Sequence, residues 1–524
     1  MDLWLRGGLI VDGTGRPPFR GSVGICGDTI EIVTDALPDD LSLEIDCTGL
    51  IVTPGFVDIH THSDLSFFAD PQANSKVAQG VTTEVVGNCG FSAFPADARR
   101  RAELSQLLRG ISSQDVDILW KDFDGYATIL GDRRPIMNVA PLVGHGAIRI
   151  AASGLADIPM TEELMARQVG LLNAALDQGA FGLSTGLTYV PSGFATPEEI
   201  HELARVVRAH GALYATHARA TAGFGAFSEA IEVARTTGAR VQFSHVALND
   251  PQTWGQAANV LAEFQAAVDA SVDVRYDVYP YEASSSSLSQ YLPGWTQQAG
   301  EEGLRSLIRD RRLFARAQKE LALGLYGTIP WRWDRVVISL AGEGDEDLVG
   351  TTVADAASSR AVGPEELVLD LCARHGNSTQ VILFYRHERD VADFLAHPLA
   401  IIGSDGSAMS VAAGGRPHPR NFGAHARLLE RYVVDTGRLT LAEAVHKSTA
   451  AAADRIGIPD RGRISAGARA DIVVLDLNAI RERATWHLPC QLAEGVKHVW
   501  INGESVVTDE MFTGTRPGRV LRRG

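Results

Sequence analysis

Eight short strand-like runs alternate with helical stretches through the middle of this 524-residue chain. Such alternation predicts a parallel sheet whose strands are joined by helical crossovers. We place the strands at about 55–60, 81–87, 136–143, 180–184, 212–217, 240–245, 272–279 and 399–404. Eight βα units predict a closed (β/α)8 barrel of the TIM type, in which the carboxyl ends of the strands build the active site.

The remaining segments predict two additions to the barrel of residues 55–465. Residues 1–54 and 466–524 consist of short strand-like runs around turn residues, so we expect both chain ends to share one small β-sandwich. The long gap between the seventh and eighth strands must hold an insertion, at about 285–375. Because loops at this face of a barrel carry function, we expect the insertion to form a lid or a wall of the substrate pocket.

Composition and charge exclude several classes of protein. The chain is 45% hydrophobic and 21% charged, as in ordinary globular proteins, and its net charge of −16 argues against binding of nucleic acid. No apolar run reaches the roughly 18 residues of a membrane-spanning helix. The amino terminus lacks the features of a secretory signal, and five scattered cysteines do not predict a disulfide framework. We therefore expect a cytoplasmic protein with neither nucleic-acid nor membrane partners; the sequence leaves its oligomeric state open.

Six side chains that can bind a metal follow the predicted strands. They are His60, His62, Cys89, His217, His245 and Asp405. His60 and His62 point the same way, because side chains alternate along a strand. A lone histidine at a strand end is more often a hydrogen-bonded structural residue, and a lone buried cysteine usually acts as a small apolar one. Six such residues at matching positions instead predict a metal centre, and imidazole with thiolate is a set that zinc favours.

Asp405 follows an apolar run, Ala400–Ser404, in which a carboxylate is unexpected. Burying a carboxylate is costly unless it is paired or bound to a metal. We therefore interpret Asp405 as a metal ligand and as the general base that accepts a proton from the attacking water. The alternative is a helix N-cap before Gly406.

Several segments carry a resemblance to one known family. They are Leu9–Gly15, Pro54–Asp64, Gly80–Thr83, Val86–Gly90, Leu183–Leu187, Asp277–Tyr281, Gly403–Gly406 and His418–Arg420. Together they span nearly the whole chain and resemble the D-aminoacylases, the N-acyl-D-amino-acid deacylases of the amidohydrolase superfamily. The segment containing Cys89 is the most specific, because most of the superfamily bridges its metals with a carboxylated lysine. No lysine lies near the end of the fourth predicted strand, which disfavours dihydroorotase-like and hydantoinase-like enzymes.

The resemblance implies a metal-dependent hydrolase that cleaves the amide bond of N-acyl amino acids, with D-amino acids preferred. It implies one tightly held zinc at Cys89, His217 and His245. It also implies a weaker or empty second site formed by His60, His62 and Asp405. The expected partner is a small-molecule N-acyl amino acid or a related amide.

Four further residues are candidates for substrate binding. Arg420 resembles the residue that holds the substrate carboxylate, a task suited to a guanidinium group, and Tyr281 resembles an assisting tyrosine. Tyr189 resembles a residue that lines the pocket, although a core aromatic residue is an alternative. His145, at the end of the third predicted strand, is interpreted as a substrate-binding or supporting residue, with a structural role as the alternative.

The chain departs from the D-aminoacylase pattern at one informative position. The family reads serine-histidine-histidine-lysine where this chain has Ser244–Ala247, so a lysine expected to help bind the carboxylate is missing. This change leaves room for a bulkier, more apolar or differently charged amide.

Two other functions remain open at this stage. One is hydrolysis of another amide, a cyclic amide or a lactone on the same metal site, because this fold hosts many chemistries. The other is a non-catalytic scaffold descended from such hydrolases, although a scaffold need not retain a complete set of metal ligands.

Overall fold

Strands occur at all eight predicted barrel positions in the computed structural model, which describes residues 1–35, 43–112, 116–219 and 224–524. In chain order the strands are β1 Leu3–Ile10, β2 Phe19–Cys26, β3 Thr29–Thr34, β4 Glu44–Asp46, β5 Ile51–Pro54, β6 Phe56–Asp58, β7 Val81–Val86, β8 Asn138–Pro141, β9 Val143–Gly144, β10 Gly182–Gly186, β11 Leu213–His217, β12 Arg240–Phe243, β13 Val274–Val278, β14 Ser284–Ser287, β15 Val336–Leu340, β16 Gln380–Leu383, β17 Ala400–Ile402, β18 Ile472–Leu475, β19 Val496–Ile501, β20 Glu504–Thr508 and β21 Met511–Phe512.

Helices separate most of these strands. In chain order they are α1 Ser66–Ala69, α2 Arg101–Leu108, α3 Phe123–Asp132, α4 His145–Ser153, α5 Glu162–Asp177, α6 Pro197–Ala209, α7 Gly225–Thr237, α8 Ala257–Asp269, α9 Gly300–Arg309, α10 Arg311–Leu321, α11 Val353–Ser359, α12 Pro364–His375, α13 Glu388–Ala396, α14 Arg420–Arg427, α15 Leu441–Ser448 and α16 Ala450–Ile456. Among the described residues, no helix combines the length and apolar character needed to cross a membrane.

Local capping fixes where several crossover helices begin. Thr196 accepts a hydrogen bond from the backbone N–H of Glu199, and Pro197 occupies the first turn of α6. Thr440 and Glu443 form a reciprocal capping box at the start of α15. Both arrangements satisfy backbone donors that a helix amino terminus leaves without partners.

Two parallel sheets carry the predicted metal ligands. One has the order β6-β7-β8 and the other β17-β13-β12-β11-β10-β9; Leu142 alone separates β8 from β9. Backbone hydrogen bonds also join the regions that follow β6 and β17. The N–H of Asp405 donates to the carbonyl of His60 over 2.8 Å, and the N–H of His62 donates to that of Gly406 over 3.0 Å. The carboxyl ends of the first and last predicted strands therefore lie side by side.

Strands from both chain ends share one sheet. This nine-stranded sheet has the order β21-β20-β19-β18-β5-β1-β2-β3, with β4 paired to β1. The two ends meet where β5 pairs antiparallel with β18, placing Val52 opposite Val474. Both of these valines are buried, so the pairing also joins apolar side chains from the two ends.

The segment between β13 and β17 forms a sheet and a core of its own. Strands β14, β16 and β15 pair antiparallel, and helices α9 to α12 lie between β14 and β16 in the chain. Their buried residues, among them Leu304, Val353, Leu369 and Val381, form a hydrophobic cluster that is separate from the main core. The insertion is therefore a folded unit and not an extended loop.

Substitution of Gly182 tests the close packing of β10 against β11. A Cβ at this position would lie 2.0 Å from the backbone oxygen of Leu213, so we expect Gly182→Ala to lower the free energy of unfolding by about 2 kcal/mol or more. A Cβ at Gly170 in α5 would meet no atom outside its own helix within 4 Å, so Gly170→Ala should raise stability by roughly 0.5–1 kcal/mol. Urea unfolding of the two variants measures both effects, and a Gly182→Ala protein as stable as the wild type would contradict this packing.

Candidate metal centre

Ligand atoms from four strand ends converge in two overlapping groups. Within the described residues, His60, Cys89 and His245 form one group, and His60, His62 and Asp405 form the other. In each group the candidate ligand atoms all lie within 4.8 Å of one another. His60 belongs to both groups and is fully buried.

The distances within these groups are short. The Sγ of Cys89 lies 3.3 Å from Nε2 of His60 and 3.4 Å from Nε2 of His245. The Oδ1 of Asp405 lies 3.0 Å from Nε2 of His62 and 3.4 Å from Nε2 of His60. Five of the six predicted metal ligands therefore form one continuous cluster.

Three of these residues have left-handed backbone conformations, which set the direction of their side chains. Cys89, His245 and Asp405 have φ angles of 55°, 39° and 54°, a region that residues other than glycine seldom adopt. Such conformations cost on the order of 1–3 kcal/mol each and concentrate at functional sites. Just before Cys89 the backbone can approach Leu142 closely because Gly87 has no side chain. A Cβ at Gly87 would lie 2.2 Å from the backbone oxygen of Leu142.

Burial sets the protonation of the imidazoles. It lowers the pKa of His245 to about 3 and also lowers that of His62, so both rings are neutral near pH 7. Burial lowers the pKa of His60 as well, but the neighbouring carboxylate of Asp277, with the Cys89 sulfur, outweighs burial and raises that pKa well above its usual value. Neutral imidazole is the form that binds metals, so His60 must lose a proton before it can ligate zinc.

Burial also raises the pKa of the Cys89 thiol to about 11, against the opposing influence of His60. Even with His60 beside it, the sulfur therefore keeps its proton at neutral pH. Because a thiolate is the form that ligates a metal, zinc binding at Cys89 requires loss of that proton.

Asp405 is ionised although it is buried. Burial raises its pKa, but the guanidinium of Arg420, with His245 and His62, holds that pKa well below its usual range. Arg420 donates from Nη1 to Oδ2 of Asp405 over 2.7 Å and from Nη2 to the carbonyl of Ser285 over 3.2 Å. In this arrangement Arg420 stabilises the charge of Asp405.

His217, the sixth predicted ligand, lies outside both groups. Its ring centroid is 4.6 Å from that of His245, but its nitrogens are engaged elsewhere. Nε2 lies 3.0 Å from the hydroxyl of Thr188, and Nδ1 lies 2.9 Å from that of Tyr189. Burial lowers the pKa of His217 well below its usual value, so its ring is also neutral.

A cavity of about 800 Å³ opens onto the cluster. Seven predicted site residues line it: His62, Cys89, Tyr189, His217, His245, Asp405 and Arg420. Tyr326, Ile329 and Leu340 of the insertion line it as well. Cavities of this size hold small-molecule ligands, and the insertion supplies part of the wall.

Two predicted substrate-binding residues lie away from the cavity lining. The hydroxyl of Tyr281 donates to Glu482 over 2.6 Å, and Glu482 also pairs with Arg427. His145 is fully buried; its nitrogens lie 3.1 Å from the hydroxyl of Ser192 and 2.9 Å from the carboxylate of Glu199. Both side chains are thus held in buried polar networks.

Asp277 is a site residue that the sequence reasoning did not single out. Its Oδ1 lies 3.0 Å from Nδ1 of His60 and accepts a hydrogen bond from the backbone N–H of His245 over 2.7 Å. A carboxylate behind a metal-binding histidine fixes the orientation of the ring. The signal in the sequence was an acidic residue near the carboxyl end of strand β13, flanked by the apolar residues Tyr276 and Val278.

The residues of the cluster fit a zinc ion. One thiol, the imidazoles of His60, His62 and His245, and a carboxylate match the ligand types that zinc prefers. The buried Nδ1 of His62 has no hydrogen-bond partner among the described residues. The second nitrogen of His60 is held by Asp277, as expected for an oriented ligand.

Comparison with known families agrees with this geometry. The family model described as "Amidohydrolase family" matches residues 43–309 and 374–507. The chain belongs to the amidohydrolase family. The unmatched residues 310–373 fall within the insertion.

Two curated relatives match along their whole length. N-acyl-D-glutamate deacylase of Alcaligenes xylosoxydans xylosoxydans is 35% identical over 526 residues, covering 100% of this chain and 97% of the relative. D-aminoacylase of the same organism is 33% identical over 525 residues, covering 100% and 98%. These matches confirm the resemblance to D-aminoacylases.

Solved structures give the same result. One is the crystal structure of N-acyl-D-glutamate deacylase from Bordetella bronchiseptica, complexed with zinc and a phosphonate inhibitor. It is 32% identical to this amidohydrolase, with a TM-score of 0.82. The match covers 100% of this chain and 99% of the deacylase chain. Dihydropyrimidinase from Brevibacillus agri is 16% identical, with a TM-score of 0.58, and the match covers 100% of this chain and 99% of the dihydropyrimidinase chain. At this identity the two proteins are similar in fold alone. The amidohydrolase fold is therefore shown by both sequence and structure.

Cys89→Ala tests the metal centre directly. Because this change removes the thiol from the group with His60 and His245, we expect zinc content to fall to about a tenth of the wild-type value or less. Cys26→Ala is the matched control, since Cys26 is exposed and lies in β2. Elemental analysis of the purified proteins measures the effect, and full zinc content in Cys89→Ala would show that the metal lies elsewhere.

Zinc affinity should depend on pH with a defined sign. The Cys89 thiol, with its pKa raised to about 11, must lose a proton to bind zinc, whereas His245, with a pKa of about 3, has none to lose above pH 5. Affinity should therefore rise by about tenfold or more per pH unit between pH 6 and 8. Competition with a chelator measures this slope, and an affinity independent of pH would contradict the assignment of Cys89.

Proposed function

We propose that this amidohydrolase is a zinc-dependent deacylase that hydrolyses N-acyl-D-amino acids to a carboxylate and a free amino acid. The observation that carries the proposal is the cluster of Cys89, His60, His245 and Asp405, three of which line the cavity of about 800 Å³. Relatives of similar length named as deacylases of N-acyl-D-glutamate and N-acyl-D-aspartate support the substrate class.

For the tightly bound zinc we propose the ligands Cys89, His217 and His245, and for a weaker second site His60, His62 and Asp405. His217 qualifies because its ring is neutral and 4.6 Å from that of His245. To ligate, it would exchange one of its two hydrogen bonds, with Thr188 through Nε2 or with Tyr189 through Nδ1, for the metal. His60 lies within reach of both groups and can support either site.

When bound, zinc supplies a Lewis acid that polarises the scissile carbonyl. Asp405 accepts a proton from the attacking water and delivers it to the leaving amine. It can do so because its carboxylate is ionised and is held by His62 through Oδ1 and by Arg420 through Oδ2. Two fixed partners keep the carboxylate oriented toward the cavity, so little reorganisation is needed in the reaction.

The cavity wall supplies the proposed substrate contacts. Arg420 lines the cavity and offers a guanidinium group for the substrate carboxylate, although one of its nitrogens holds Asp405. Tyr189 lines it beside His217 and contributes an aromatic surface. Tyr281 and His145 act through the residues that they contact, as positioning residues behind the wall.

We further propose that the eight parallel strands close into a (β/α)8 barrel of residues 55–465, interrupted by the insertion. The hydrogen bonds between the regions after β6 and β17 support closure. Residues 1–54 and 466–524 then form the β-sandwich domain, which the shared nine-stranded sheet supports. Ligands at the carboxyl ends of the strands agree with this architecture.

A panel of paired N-acetyl-D- and N-acetyl-L-amino acids tests the activity. We expect the zinc-loaded protein to release amine from the D series at least about tenfold faster than from the L series, and treatment with a chelator to abolish release. Amine release is measured with a colorimetric reagent. Preferred cleavage of cyclic amides or lactones, or no hydrolysis by protein that holds zinc, would contradict the proposed function.

Asp405→Asn tests the general base. Because an amide cannot accept the proton from water, we expect kcat to fall by about 10²- to 10⁴-fold. Asp435→Asn serves as the control, since Asp435 is exposed and distant in sequence from every proposed ligand. Zinc content is measured in parallel, and a variant that retains zinc and full kcat would exclude Asp405 as the base.

A further inference from the structure

The turn that carries Cys89 has a strained backbone. Gly87, Cys89 and Gly90 have φ angles of 81°, 55° and 78°, so three of four successive residues lie in the left-handed region. Glycine adopts this region freely, whereas Cys89 is strained in it. Such a conformation persists only where contacts from the surrounding structure hold it.

Ser184 of β10 contacts this turn on both sides of Cys89. Its hydroxyl donates a hydrogen bond to the carbonyl of Gly87 and accepts one from the backbone N–H of Gly90 over 2.9 Å. Because the side chain of Ser184 is fully buried, bulk water does not compete for these groups. One hydroxyl therefore bridges the residues that flank Cys89 and links them to another strand.

Gly186 gives the same turn room against β10. It lies two residues after Ser184, so both positions face the same side of the strand. A Cβ at Gly186 would lie 2.1 Å from the carbonyl oxygen of Cys89. Strand β10 thus meets the turn with a hydroxyl at one position and with no side chain at the next position on that face.

This contact links β10 to the metal centre, to which the strand supplies no candidate ligand. Within the described residues, the two ligand groups come from the ends of β6, β7, β12 and β17. The Sγ of Cys89 lies 3.3 Å from Nε2 of His60 and 3.4 Å from Nε2 of His245. These short distances depend on the direction in which the strained turn points the side chain of Cys89.

We propose that Ser184 is a positioning residue for zinc binding, which holds the turn of residues 87–90 so that the sulfur of Cys89 is in place before zinc binds. The inference rests on the proposed function, in which Cys89 is a ligand of the metal. Loss of the hydroxyl removes a partner from two buried backbone groups, those of Gly87 and Gly90. The strained turn then relaxes, and the sulfur leaves its position beside His60 and His245.

Ser184→Ala tests the proposal through zinc affinity. We expect the dissociation constant for zinc, measured by competition with a chelator, to rise by about 10- to 100-fold, as for other residues that orient a metal ligand. Ser287→Ala is the matched control. Ser287 is also fully buried, and its hydroxyl donates to the carbonyl of Asn377 over 2.9 Å and accepts from the side chain of Gln380 over 3.1 Å. Because these partners belong to the insertion, zinc affinity in the control should stay within about threefold of the wild type.

Urea unfolding of the zinc-free proteins separates positioning from a purely structural role. Each serine variant loses two buried hydrogen bonds, so we expect similar decreases in the free energy of unfolding. Only Ser184→Ala should also lose zinc affinity. Wild-type zinc affinity in Ser184→Ala, or an equal loss of affinity in Ser287→Ala, would overturn the proposal.

Cobalt substitution reads the position of the sulfur directly, because a thiolate bound to cobalt gives a strong charge-transfer absorption. The wild type and Ser287→Ala should show this absorption, and Ser184→Ala should show it weakened. A full absorption in Ser184→Ala, or none in the wild type, would overturn the role of Ser184. None of these measurements needs turnover. A wild type that hydrolyses no N-acyl-D-amino acid, with affinity lost in Ser184→Ala, would overturn the proposed function and leave the role of Ser184 supported.

Hydrogen exchange of the wild type tests the same role without a substitution. If Ser184 holds the turn, the backbone N–H of Gly90 exchanges slowly in the zinc-free protein as well as in the zinc-loaded protein. Mass spectrometry of peptides that span residues 87–91 measures the exchange. Fast exchange that becomes slow only with zinc would overturn the proposal, because the metal and not Ser184 would then order the turn.

Discussion

The pairing of the chain after β6 with the chain after β17 is the contact on which the rest of the site depends. Two backbone hydrogen bonds, from Asp405 to His60 and from His62 to Gly406, fix the ends of strands that are more than 300 residues apart in sequence. Each of these bonds involves a proposed metal ligand. These bonds fix the backbone of the proposed ligands themselves. The same hydrogen bonds therefore determine both the pairing of the two strand ends and the positions of the candidate ligand atoms.

A buried ion pair reinforces this junction from below. Asp58 accepts a hydrogen bond from the backbone N–H of Ser404 over 2.8 Å, and its other oxygen lies 3.0 Å from Nζ of Lys76. Burial raises the pKa of Asp58, but Lys76 outweighs it and holds the group ionised. The neighbouring Glu84 has its pKa raised to about 8 by burial and so carries a proton at neutral pH. The charges beneath the metal cluster are thus balanced, which limits the cost of burying them.

Sequence patterns predicted the strands, and they singled out five residues that cluster in the structure, because both follow local rules. Strand positions follow from short apolar runs, and ligands such as Cys89 and Asp405 stand where those runs end. The hydrogen bonds of His217 with Thr188 and Tyr189 were not predictable, because they depend on how the end of β11 meets the segment that follows β10. Arg386, which lines the cavity, was not singled out for a similar reason: it follows strand β16, and only the folded insertion brings it against Tyr279. Tertiary contacts of this kind leave no periodic signal in the sequence.

We propose that Cys89 is a ligand of the catalytic zinc, and X-ray absorption at the zinc edge measures this coordination. We expect one sulfur at about 2.3 Å, from Cys89, with the remaining ligands being nitrogen or oxygen at about 2.0–2.2 Å. A first shell made only of nitrogen and oxygen would contradict it, because Cys89 would then lie beside the metal without binding it.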